Sequence, residues 1–171
     1  MTPQDFVQRI ITPGAAWAEQ VVGMSSSIAA RRMLLAIAIQ ESDLAHRYQV
    51  LSGGAPGPAR SWWQGEQTGG MIRVVTASAV SQAIRSRGVA LCQAASVRPE
   101  AAAIWRAIEG HDLLAYGLAR LLLLSDPQAI PETEAGAWAC YADRLWRPGK
   151  SHRERWVTSW AQATREYPIG G

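Results

Sequence analysis

The chain has 171 residues, with 17 Lys+Arg against 14 Asp+Glu, 48% hydrophobic and 18% charged residues. That length fits one domain whose core needs no staples, and an ordinary apolar fraction with a net charge of +3 excludes a disordered chain. Two cysteines, Cys92 and Cys140, provide neither a disulfide framework nor a Cys-type zinc site, and read as two small buried thiols of a protein made in a reducing compartment.

Helix signals dominate from the start. Thr2-Pro3 and Thr12-Pro13 each set a capping residue before a proline suited to a first helical turn, and Gly23 is a natural stop for the second of these helices. The opening MTPQDFVQRI has no basic stretch followed by an apolar run, so no secretory signal is expected. From Ser25 to Gln40 the set Ile28, Leu35, Ile39 with Ala29, Ala36 and Ala38 recurs at helical spacing. Its flank from Met33 to Ile39 is almost wholly apolar, which predicts a central buried helix running directly into Gln40-Glu41-Ser42-Asp43.

Residues 51–71 break the pattern. Six glycines and two prolines argue against a helix, and no period-2 alternation argues for a strong strand. A loop this long inside a compact domain is uncommon and usually functional. Further helices are expected over 76–86, 89–95, 99–108, 111–124, 134–145 and 152–165. Asp126-Pro127 closes the Leu121–Leu124 run, and Ser151-x-x-Glu154 is a capping-box pattern opening the last helix. The expected architecture is a single all-α domain over residues 1–171 with one Gly-rich excursion after its central helix. Its apolar stretches are too short and interrupted to span a bilayer.

Charge is diffuse except near the end. Sixteen of the 17 cations are arginine, and between Arg144 and Arg165 six cations (Arg144, Arg147, Lys150, Arg153, Arg155, Arg165) face Glu154 alone. Such a run reads as a solvated face or as a surface for an anionic polymer. Without a helix-turn-helix spacing, nucleic acid is a disfavoured partner.

Candidate chemistry starts at Glu41. A carboxylate at the C-terminal end of a buried helix sits at the negative end of the macrodipole and in an apolar surround that disfavours its charge. Both raise its pKa toward what a general acid needs near neutrality. In the loop, Trp62, Trp63 and Gln64 place two indoles and an amide beside glycines, a combination suited to a glycan cleft. Core packing is the competing reading for the two tryptophans, with one of the adjacent pair expected to point inward. Trp138, Trp146, Trp156 and Trp160 are expected to form an aromatic core between the last two helices. His46, His111 and His152 are scattered without ligand spacing, so neither a metal nor a cofactor is expected. Neither a Gly-x-Ser-x-Gly elbow nor a phosphate loop occurs.

The stretches Gln40-Glu41-Ser42 and, some twenty residues later, Gly57-Pro58-Ala59-Arg60-Ser61-Trp62-Trp63-Gln64 resemble the lysozyme-like superfamily, nearest to its soluble lytic transglycosylase and goose-type lysozyme branches. His111–Leu118 resembles the helix of that family that begins near an Asn or Asp. Ala139-Cys140-Tyr141-Ala142-Asp143 resembles its Ala-Tyr-Asn segment, whose tyrosine lies close to the acid. The resemblance spans residues 28–147. Ser61 stands where the family has glycine and Trp62 where it has a mid-sized apolar residue. The Gly57–Gln64 loop and Trp146-Arg147-Pro148-Gly149-Lys150 also resemble segments of bacteriophage proteins.

The resemblance implies a peptidoglycan-cleaving muramidase or lytic transglycosylase of phage or prophage origin, virion-associated or released to the cell wall. It implies Glu41 as the catalytic acid, with Ser42, Trp62, Trp63, Gln64 and Tyr141 contacting substrate. A hydrolase needs a second carboxylate. Glu66 is the leading candidate, with Asp43, Asp112 and Asp143 as others, and none falls in a clear motif. An alternative from another class is a virion structural protein that keeps the fold without activity and binds other virion proteins. A third and weaker one is a helical DNA-associated protein using Arg144–Arg165.

Overall fold

The fold is given by a computed structural model, which describes residues 1–149 and 152–170. Lys150 of the basic run and Ser151 of the expected capping box lie outside the described residues.

The N-terminal segment is one continuous rod. Helix α1 (Pro3–Phe6) passes through a π turn (Val7–Ile11) into α2 (Thr12–Val22). Thr2 caps it as expected, its hydroxyl accepting from the Asp5 amide at 3.1 Å. Thr12 does not cap; its amide donates back to Val7. The reason is Pro13, which has no N–H to give and whose ring would crowd the carbonyl four residues back. Widening the preceding turn accommodates the proline without ending the helix. Gly23 then stops α2 in the left-handed conformation, φ 63°.

The central helix α3 (Ile28–Ser42) starts at Ser27, whose hydroxyl accepts from the Ala30 amide, and ends at Asp43 in the left-handed region. Every residue from Arg32 to Gln40 is buried, which is why its sequence shows an apolar block rather than a stripe. Helix α3 packs along the last helix, α9 (Arg153–Glu166), and α2 along α7 (Asp112–Leu124). Between them lies one apolar cluster running from Phe6 to Ala163.

The Gly-rich region is more ordered than its composition implies. Strands β1 (Tyr48–Val50) and β2 (Pro56–Arg60) pair antiparallel, Tyr48 opposite Arg60 and Val50 opposite Pro56. The domain is therefore mainly helical rather than purely so. Its last glycines open α4 (Gly70–Thr76). A Cβ on Gly70 would lie 2.9 Å from a Leu122 methyl and 3.2 Å from the Leu145 carbonyl, so glycine lets α4 start against both without either shifting.

The expected break between residues 86 and 89 does not occur; α5 runs Gln82–Ala94 through Gly88. That glycine serves packing, since a Cβ there would be 2.8 Å from a Val75 methyl. Helix α6 (Ala101–Ala107) follows, and α8 (Glu134–Trp138) continues as a second π turn (Ala139–Leu145). Both thiols are free and buried, and burial pushes Cys92 up to about 11 and Cys140 up to about 12. No helix among the described residues is long and apolar enough to cross a membrane.

Candidate active site

Glu41 sits in the last turn of α3, half-buried, at the wall of a groove of about 960 Å³. Three structural layers meet there. The end of α3 supplies Gln40 and Glu41, and the β-hairpin with its succeeding turn supplies Gln64 and Glu66. The second π turn supplies Tyr141, with Trp146 and Arg147 just beyond its end.

The end of α3 is held by polar contacts inside an apolar interface. Gln40 donates to the His152 carbonyl at 3.1 Å and accepts from the Ser159 hydroxyl at 3.0 Å. A buried amide satisfied at both ends fixes rotation as well as position, so the next residue, Glu41, is delivered to the groove in a set direction. There the Tyr141 hydroxyl donates to Glu41 Oε1 at 2.6 Å. Tyr141 is itself locked, stacked on Trp156 with ring centres 4.9 Å apart and planes 2° from parallel.

The electrostatics derive from this placement. Burial is the largest influence on Glu41 and pushes its carboxyl up to about 7. The Tyr141 hydrogen bond and the Arg155 charge act the other way, while Glu66 adds to the rise. Tyr141 is pushed up by burial first and by the neighbouring carboxylate second, so it remains a hydroxyl donor. Tyr141 occupies Glu41 Oε1, and Oε2 has no hydrogen-bond partner among the described residues.

The residues singled out from sequence divide sharply. Glu41, Gln64, Glu66 and Tyr141 all line the groove, and the tyrosine does lie against the acid. Trp62 and Trp63 do not line it. Their exposures are 4% and 0%, and both indoles lie edge-on against Phe6 at 5.5 and 5.8 Å. Trp63 Nε1 donates to the Leu34 carbonyl of α3, and Trp62 Nε1 donates to Asp112 Oδ1. The backbone explains how adjacent side chains both turn inward: Ser61 (φ 70°) and Gln64 (φ 49°) bracket the pair in left-handed conformations and break the usual alternation. Ser42 is likewise outside the groove lining, its hydroxyl turned back to the Ala38 carbonyl at 2.8 Å.

The other carboxylates are engaged elsewhere. Asp43 pairs with Arg155 at 2.5 Å and Asp112 with Arg47 at 2.6 Å. Neither they nor Asp143 lines the groove. Among the described residues no cluster of His, Cys, Asp and Glu could hold a metal.

Sequence reasoning missed Trp146 as a groove residue. Trp156 and Trp160 do stack in the core with Trp138 against them, but Trp146 is only half-buried and lines the groove. Its Nε1 donates to the Trp63 carbonyl at 3.1 Å. The Tyr141 carbonyl accepts from the amides of both Trp146 and Arg147. One residue thus holds the acid by its side chain and this wall by its backbone. Arg155, in the basic run, is a further groove residue.

Comparison with protein-family models, with curated proteins and with solved structures finds no match for this chain.

Proposed function

We propose that this protein is a lysozyme-like glycosidase that cleaves the β-1,4 bond between MurNAc and GlcNAc in peptidoglycan, with Glu41 as its acid. The observation that carries the reading is the Glu41–Tyr141 pair in an open groove, with the carboxyl at about 7. A carboxyl near 7 is partly protonated at neutral pH, as a group that must protonate a leaving glycosidic oxygen requires. The left-handed Ser61 supports the lysozyme-like likeness from a second direction, because the family has glycine at that position and glycine is what φ 70° favours.

The chemistry can run on one carboxylate. Glu41 gives its proton to the bridging oxygen as the C1–O bond breaks, and the 6-hydroxyl of the same sugar attacks C1. The hydroxyl proton returns to Glu41, leaving a 1,6-anhydro product. Glu66 is the groove carboxylate available for a hydrolytic alternative in which water is the nucleophile. Trp146, and not the buried Trp62 and Trp63, is the indole placed to meet a sugar face. Phage or prophage origin, with the protein acting on the cell wall from a virion or after release, belongs to the same reading.

The test is muropeptide release from purified peptidoglycan, wild type beside Glu41→Gln, with products resolved by mass. Wild-type release that falls by roughly a hundredfold or more in the variant supports the reading, and an anhydro product selects the single-carboxylate route. No release by the wild type from several wall types overturns it in favour of a virion structural protein.

A further inference from the structure

The basic run near the C-terminus is not one surface. Arg144 is tied to Asp126 at 2.9 Å, Arg153 to Glu134 at 2.5 Å and Arg155 to Asp43 at 2.5 Å. Arg147 differs. It lines the groove and has no carboxylate partner among the described residues. It is also not a freely waving side chain. Its Nε donates to the Asp143 carbonyl at 3.0 Å, its amide points to the Tyr141 carbonyl, and its backbone is held at φ 48°. These contacts occupy the Nε donor and, among the described residues, leave the terminal nitrogens, the fork that recognises a carboxylate bidentately. The preceding residue is Trp146, the half-buried indole of the same groove.

We propose that Arg147 is the specificity-determining residue of the groove and binds a carboxylate carried by the glycan, on a sugar seated against Trp146. This rests on the reading of the groove as a glycan site but not on cleavage. The ligand is an acidic amino-sugar polymer, such as one bearing lactyl or peptide carboxylates. A neutral polymer of GlcNAc fills the same groove without the ion pair. Arg147 is exposed, and a charge-assisted, bidentate contact to its terminal nitrogens adds roughly tenfold in affinity over its absence.

The test is binding by the Glu41→Gln protein, which leaves the ligand intact, measured by calorimetry at fixed ionic strength. Three soluble glycans of matched length are compared: a carboxylate-bearing muroglycan, the same glycan with its carboxylates amidated, and a GlcNAc oligomer. The expected result is roughly tenfold tighter binding of the acidic glycan than of the amidated one. Adding Arg147→Gln removes that difference, whereas Arg147→Lys restores part of it. Arg165→Gln, in the same basic run but outside the groove lining, changes nothing. Thermal melts of each variant show that the fold is kept.

Equal affinity for acidic and amidated glycan, a difference that survives Arg147→Gln, or binding of no glycan at all each overturns the inference. The two readings fail separately. A wild type that releases no muropeptides but shows Arg147-dependent binding loses the cleavage reading alone. A wild type that cleaves, with binding indifferent to Arg147, loses this one alone.

Discussion

Two tryptophan-bearing segments meet at the groove and do opposite work. Trp62 and Trp63 come from the Gly-rich excursion, where composition favours a ligand-facing loop, and both are buried against Phe6. Trp146 comes from a segment expected to pack as core, and it is the indole that lines the groove. The Trp63 carbonyl accepts from Trp146 Nε1, so the buried indole's backbone is the support on which the groove indole rests. Local composition reports how freely a backbone can bend. Which way a side chain points is decided by what the bent chain packs against.

The largest effect separating the two segments should appear in stability. Trp63→Ala removes a fully buried ring together with its hydrogen bond to Leu34, and is expected to cost about 3–5 kcal/mol in urea unfolding. Trp146→Ala, at a half-buried site, should cost about 1–2 kcal/mol and instead weaken glycan binding several-fold. If both variants lose stability equally with binding unchanged, Trp146 is core after all and the contrast collapses.

Next is the Glu41 carboxyl at the groove wall. The Glu41 carboxyl is raised from 4.5 to about 7 in the folded state, so the fold holds this proton more tightly than the unfolded chain does. Its contribution to stability is therefore complete below about pH 4.5 and is lost as pH rises through 7. Glu41→Gln cannot ionise and should be more stable than wild type at pH 8 by roughly 1–3 kcal/mol. At pH 4.5 the two should nearly match. Urea melts at the two pH values check this, and equal stability at both would show that burial does not strain the carboxylate.

The smallest effects sharpen the electrostatics. Tyr141→Phe removes the hydrogen bond that favours ionised Glu41. The alkaline limb of the pH–rate profile should therefore move further above 7, with a lower maximal rate as the acid loses its orientation. Arg155→Gln removes a cation that also favours the ionised form, and should move the same limb upward by less, because Arg155 is exposed and already paired with Asp43. A downward shift in either variant would contradict the assignment of these groups.

Several features were legible in the sequence because their causes are local. Capping at Thr2, the left-handed stop at Gly23, the central buried helix running into Gln40–Asp43 and the position of Glu41 at its end depend on residues within a turn or two. Where a local signal failed, a contact from elsewhere outweighed it. Gly88 falls at the expected break between two helices, but lies inside α5, where a Cβ would be 2.8 Å from a Val75 methyl. Residues 51–71 lack strand alternation in sequence, yet Pro56–Arg60 pairs with Tyr48–Val50, and residues of both strands line one side of the groove. The sequence alone determined a mainly helical chain with a carboxylate at the end of its buried helix, since periodicity and capping are properties of neighbouring residues. Only the tertiary structure decided that Tyr141, 100 residues away, would bond that carboxylate, that the paired indoles would turn inward, and that Arg147 alone among the cations lining the groove would lack a carboxylate partner among the described residues. Those outcomes depend on how α3, the hairpin and the second π turn pack together, and the spacing of residues along the chain does not encode that packing.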